Sequence, residues 1–374
     1  MQVRVMILTV LLSTVLVCPV AAAPATSAAS AVLMDGDTGR ILYAQDENTP
    51  RPMASTTKLM TALVAVESLG GDLARPVKIQ PEWTGIEGTS LYLRPGEILQ
   101  VETLLYGLLL HSGNDAAVAL AEKVAGVTEL FVEQMNNRAR GLGMDDTHFA
   151  NPTGLTAAGH VTSAYDIALM SRELLTKHPD IRNFTTIWTD SIRNGTFDLA
   201  NTNKLIRWYD GATGLKTGYT ASAGYCISAT AEREGMELIA VVLKSPTGQQ
   251  RFEDAKTLLN YGFSTYGLVH ASPEEPLPPV PVTLGTRDAV QSMVDPAEGL
   301  LLAEKARLPG LEQTVTLPES AAAPVRQGDV LGTLTVTQNG ETLLEVPIRA
   351  AETVEKLTFG EMFLRLARTM CFCG

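Results

Sequence analysis

Apolar residues along this chain change period several times, and each change marks an element. Ala31-Val32-Leu33-Met34 and Arg40-Ile41-Leu42-Tyr43 flank Asp35-Gly36-Asp37-Thr38-Gly39, which predicts a β-hairpin. After Pro52 the spacing turns helical. Leu59, Met60, Ala62, Leu63, Val64, Ala65, Val66 and Leu69 leave almost no polar face, so this helix should run through a domain core. Residues 73–96 are rich in Pro and Gly and read as loops with short strands. Helical patterns follow over 101–110, 116–124, 128–140 (ended by Gly141) and 163–175, with a loop at Asn151-Pro152-Thr153-Gly154-Leu155 between the last two. Strand patterns return at 225–231 and 236–243, and residues 250–259 look like a closing helix. The hairpin and the late strands are expected in one antiparallel sheet, with the mid-chain helices packed against it.

Beyond about His270 the character changes. A Pro-rich stretch over 272–281 marks a linker, and alternating segments follow, including a hairpin of 331–337 with 343–348 turned at Asn339-Gly340. A small β-domain without clustered catalytic groups is expected there. Within 353–374, Phe359, Met362, Phe363, Leu366 and Met370 form one helical stripe with Arg365 and Arg368 nearby. Its charges forbid spanning, and the expectation is a helix lying in a membrane surface rather than packed on its own domain. At the other end, Arg4, an apolar run over 5–17 and Ala21-Ala22-Ala23 read as an export signal cleaved after Ala23. The expected organisation is thus 1–23 signal, 24–268 main domain, 269–351 β-rich domain and 352–374 amphipathic helix.

Composition removes several classes of function. At 374 residues, with 45% apolar and 19% charged residues, the chain can build large cores. A net charge of −12 without a basic run argues against a nucleic-acid partner. Past the signal, Cys226, Cys371 and Cys373 do not make a disulfide framework. The histidines (His111, His148, His160, His178 and His270) lack metal-ligand spacing, so neither a metal nor a cofactor is expected.

The candidate chemistry starts at Ala54-Ser55-Thr56-Thr57-Lys58. A hydroxyl and an amine three residues apart share one helix face. Burial at the start of a core helix lowers the lysine pKa, which makes Lys58 a base for a Ser55 nucleophile without a histidine. Backbone N–H groups at the helix start could hold an oxyanion. Two further motifs follow in order. His111-Ser112-Gly113-Asn114-Asp115 lies between two helices, where Ser112 and Asn114 can face the same cleft as Ser55. Lys216-Thr217-Gly218-Tyr219, on a strand edge, supplies a cation, a hydroxyl and a residue without Cβ. Each motif alone is ordinary cap or turn composition; together they are specific.

Ser55-x-x-Lys58, Ser112-x-Asn114 and Lys216-Thr217-Gly218 are a motif set known from penicillin-binding proteins and class A β-lactamases. The text around them, with Asn151-Pro152-Thr153-Gly154-Leu155, Arg251-Phe252 and Leu258-Leu259-Asn260-Tyr261-Gly262-Phe263, resembles the low-molecular-mass D-alanyl-D-alanine carboxypeptidases from about Ala31 to Tyr266. That resemblance implies an α+β fold, a five-stranded antiparallel sheet with helices on both sides, followed by the β-domain and the terminal helix. It implies Ser55, Lys58 and Ser112 as catalytic residues, acting on cell-wall stem peptides that end in D-Ala-D-Ala. Asn114, Lys216, Thr217, Gly218, Tyr219 and Arg251 would bind the substrate. Backbone N–H groups of Ser55 and Tyr219 would hold the oxyanion, and β-lactams would acylate Ser55. A class A β-lactamase would add a glutamate that activates water. Glu133 and Asn137 have the spacing but fall too early and within a helical pattern. A binding module that kept the fold would need no intact nucleophile.

Overall fold

A computed structural model describes residues 24–273, 276–295 and 298–372, the last seven by backbone alone. The signal assigned to 1–23 lies outside the described residues. Five antiparallel strands form the main sheet: β1 (Ser30–Asp35), β2 (Ile41–Gln45), β3 (Ala212–Thr220), β4 (Gly224–Arg233) and β5 (Met236–Ser245). Their spatial order is β2-β1-β5-β4-β3, so the ends of the domain meet at the sheet centre and β3 forms an edge.

The strands read as continuous apolar runs because both faces are covered. Val32, Met34, Ile239, Val241 and Leu243 point to one core, while Leu33, Leu238, Ala240 and Val242 point to the other. The first core belongs to the mid-chain helices α1 (Lys58–Ser68), α2 (Val101–Tyr106), α3 (Asn114–Ala125), α4 (Thr128–Gly141) and α5 (Ala164–Lys177). The second lies under α6 (Gly248–Thr265), whose Phe252, Ala255, Leu258 and Leu259 are buried. Among them α1 is apolar all round, and Leu59, Met60, Ala62, Leu63 and Ala65 have no exposed surface.

Local chemistry sets most boundaries. Ser163 caps α5 by accepting from the Asp166 N–H at 3.1 Å, and Thr247 caps α6 through the Gln250 N–H. Three boundaries differ from the expectation. Residues 107–111 continue α2 in wider π-type turns, Asn114 opens α3 rather than lying in the loop before it, and α6 extends to Thr265. A short hairpin of Thr189–Ile192 with Phe197–Ala200 went unforeseen, because its strands are too short and polar to show a period.

Past residue 270 the chain is all-β until its last helix. The strand Val330–Gln338 pairs with Glu341–Ala350 around Asn339-Gly340, both left-handed, as the Asn-Gly signal requires. The terminal helix Phe359–Phe372 starts at a Thr358–Glu361 capping box. Phe359 and Phe363 are 82% and 64% exposed, while Arg365 pairs with Asp288 of the β-domain.

Leu63→Ala, at the centre of α1, should cost about 2–5 kcal/mol by transfer and cavity terms. Glu133→Ala, on the exposed face of α4, should stay within about 0.5 kcal/mol. Thermal unfolding of the two variants beside the wild type checks both values.

Candidate active site

The cleft is assembled where three loops meet the edge of the sheet. Ser55 sits in a tight 3-10 turn, Ala54–Thr57, immediately before α1. Ala54 carries a left-handed φ of 50°, and the turn is tied internally by Thr56 Oγ1 to Met53 O and Thr57 Oγ1 to Ala54 O. The strand β3 lies against it so closely that a Cβ on Gly218 would stand 3.0 Å from the Ser55 nitrogen. A side chain at Gly218 would therefore push the strand off the serine turn.

Lys58 is fully buried, deeper than the partial desolvation expected of it. Its Nζ reaches Ser55 Oγ at 3.1 Å, Asn114 Oδ1 at 2.7 Å and the Thr153 carbonyl at 2.5 Å. Burial holds this amine well below the usual lysine range. The Lys216 charge pushes the same way, and Asp115 opposes them. A neutral amine has two N–H bonds and one lone pair. The two carbonyl oxygens can only accept, so they take the N–H bonds and leave the lone pair to face the Ser55 hydroxyl.

The Asn114 amide bridges two segments, since its Nδ2 donates to the Glu87 carbonyl at 2.6 Å. The 87–93 loop is held in turn by buried Asp115, which accepts from the Leu91 and Leu93 N–H groups and from Ser90 Oγ. Ser112 is 8% exposed and left-handed, with φ 69°, at the turn that ends the widened helix. Asn151 Oδ1 accepts from the Thr153 and Gly154 N–H groups, an Asx-type loop that aims the Thr153 carbonyl at Lys58. Gly154, with φ +86°, packs under Ala54, where a Cβ would lie 2.0 Å from the Ala54 carbonyl oxygen.

On β3, Lys216 is buried, and burial followed by the nearby Arg251 charge lowers its pKa to about 7. Its Nζ donates to the Thr217 carbonyl, and Thr217 Oγ1 donates to Thr202 Oγ1 at 2.6 Å. Tyr219 is 56% exposed at the rim, its ring 4.4 Å from that of Tyr225. Arg251 stands behind the strand, with Nη1 donating to the Gly218 and Cys226 carbonyls and Nε buried without a partner. Glu133 and Asn137 are exposed on α4, whereas Phe131 and Met135 face the core.

Hydrogen bonds thus join Ser55, Lys58 and Asn114 directly. Lys216, Thr217, Gly218 and Tyr219 come in along the edge strand, and Arg251 supports that strand from α6. The sequence reading did not foresee the Thr153 carbonyl, the Asp115 anchor or Thr202. The Asn-Pro-Thr-Gly turn was visible as a loop, but backbone carbonyls leave no residue-type signal.

A buried lysine poised on a serine at a helix start, beside an edge strand that carries a second lysine, is the arrangement of a serine enzyme that dispenses with histidine. Residues 19–247 match the family model described as D-alanyl-D-alanine carboxypeptidase, and 277–356 match that of the penicillin-binding protein 5 C-terminal domain. The chain belongs to the D-alanyl-D-alanine carboxypeptidase family. It is 37% identical to the Bacillus subtilis D-alanyl-D-alanine carboxypeptidase DacF, covering 90% of this chain and 88% of that one. Identity to the Escherichia coli enzyme DacC is 32%, over 89% and 86% of the two chains. Penicillin-binding protein 5 of Haemophilus influenzae superposes with a TM-score of 0.73 at 27% identity, covering 89% of this chain and 99% of that one. Penicillin-binding protein D2 of Listeria monocytogenes, solved in its ampicillin-bound form, is 33% identical with a TM-score of 0.58, over 64% and 98%.

Gly154→Ala should displace the serine turn, since the added methyl has neither space nor a favoured φ. Labelling of Ser55 by a fluorescent penicillin should slow at least about tenfold, with the far-UV spectrum of the variant unchanged.

Proposed function

We propose that this protein is a serine D-alanyl-D-alanine carboxypeptidase that removes the terminal D-alanine from peptidoglycan pentapeptide stems. The contact set of the Lys58 amine carries the reading. Ser55 attacks the carbonyl of the penultimate D-alanine, and Lys58 takes its proton. The N–H groups of Ser55 and Tyr219 receive the oxyanion. Ser112 passes a proton to the departing D-alanine, and Asn114 orients both Lys58 and the substrate amide. Lys216, Thr217 and Arg251 bind the free carboxylate that distinguishes a chain end from an internal peptide. Water then cleaves the acyl-enzyme. Penicillin acylates Ser55 by the same route, its ring amide standing in for the scissile bond. The exposed positions of Glu133 and Asn137 leave a β-lactamase without the glutamate its fast deacylation needs.

The location follows from the two ends. Residues 1–23 direct export and are removed, residues 24–268 and 269–351 form the peptidase and β-rich domains, and 352–374 rest on the outer face of the cytoplasmic membrane. Among the described residues no helix is long and apolar enough to cross a membrane, and the outward Phe359, Phe363 and Leu364 suit a surface-bound helix.

Release of D-alanine from a peptide ending in D-Ala-D-Ala should fall about 10³-fold or more in Ser55→Ala, and persistent release would sink the reading. Activity should also titrate on both sides. Lys58 accepts a proton only when neutral, so kcat falls as pH drops through its depressed pKa. Lys216 in the free enzyme loses its charge near pH 7, so kcat/KM should decline above about 7 while kcat holds, because a bound carboxylate keeps Lys216 protonated. Lys216→Arg should remove that alkaline limb, as guanidinium stays charged.

A further inference from the structure

His160 is 4% exposed, lies outside the three motifs and plays no part in the mechanism above. Its two ring nitrogens connect the two loops that converge on Lys58. The Ala150 N–H can only donate, and it points at His160 Nδ1 at 2.9 Å, so Nδ1 carries a lone pair. In the neutral ring the proton is therefore on Nε2, which donates to Thr57 Oγ1 at 2.7 Å. The Thr57 hydroxyl in turn donates to the Ala54 carbonyl at 2.8 Å. That carbonyl belongs to the left-handed residue immediately before the nucleophile, and Gly154 packs against it. Burial first, then the nearby His148, lower the ring pKa to about 4, so at neutral pH one tautomer satisfies both partners.

We infer that His160 is a positioning residue for acylation, its ring clamping the Ser55 turn through Thr57 to the 150–154 loop that presents the Thr153 carbonyl to Lys58. The nucleophile and its base are then set at a fixed separation by one chain of donors, running Ala150 N–H to His160 to Thr57 to Ala54 O. None of these hydrogen bonds involves Lys216, Thr217 or Arg251, the groups assigned to the substrate carboxylate. Their loss should therefore slow the chemical step and leave ground-state binding unchanged.

The inference rests on Ser55 and Lys58 acting as proposed, and the wild-type rates of D-alanine release and penicillin acylation test that separately. His160→Phe and the near-isosteric Thr57→Val would be measured singly and together, beside His160→Gln, whose amide retains one acceptor and one donor. Each of the first two variants should lower kcat and the penicillin acylation rate by about 10- to 100-fold, with KM little changed. The double variant should be no slower than the slower single one, since both interrupt the same chain. His160→Gln should recover most of the rate. Three results would overturn the inference in an active wild type: effects that multiply in the double variant, a rise in KM matching the fall in rate, or a folded His160→Phe enzyme with unchanged acylation.

Discussion

A charged amine is expensive to bury without a carboxylate in contact, and Lys58 is an amine with no exposed surface whose hydrogen-bond partners are all neutral oxygens. Burial, helped by the Lys216 charge nearby, lowers the Lys58 pKa and so favours the neutral amine. Neutrality then dictates geometry. Two acceptors, Asn114 Oδ1 and the Thr153 carbonyl, take the N–H bonds and turn the lone pair toward Ser55. These acceptors arrive from segments far apart in the chain, so the rest of the domain serves to bring three turns to one nitrogen atom.

Each turn has its own anchor. The 87–93 loop is tied to the start of α3, just past the Ser112 turn, by the Asp115 carboxylate, whose oxygens accept from two backbone N–H groups and a hydroxyl of that loop. The 151–154 loop is shaped by the Asn151 side chain. The serine turn is pressed between Gly154, where a Cβ would collide, and Gly218 of the edge strand, where one would be a tight fit. The strand itself is held by β4 along its one paired side and by Arg251 from α6. Its position at the sheet edge leaves unpaired backbone groups for an extended peptide to meet.

Among the described residues the β-rich part contributes no hydrogen-bond partner to Ser55, Lys58, Asn114 or Thr217. Its strands build two small cores of their own, and the terminal helix is tied to it by Arg365 and Asp288 while Phe359 and Phe363 face outward.

Periodicity and turn chemistry made much of this legible from the sequence. The core helix α1, the Asn-Gly hairpin, the capped α5, the strands of the main sheet and the three motifs all come from local patterns of residue type. Local pattern could not determine where the π-type widening after α2 falls, nor the short hairpin at 189–200, since neither has a distinctive period. It also left the supporting chemistry unseen. The Thr153 carbonyl, the Asp115 anchor, Thr202 beside Thr217 and the His160 chain depend on contacts between distant segments and, in part, on backbone atoms that every residue carries. The sequence alone determined which side chains could do the chemistry, because nucleophile, amine and cation are residue types at fixed spacings. Only the tertiary structure decided that the Lys58 pKa is pushed down toward the neutral amine and which way the lone pair of that amine points, because burial and three converging oxygens exist only in the folded chain.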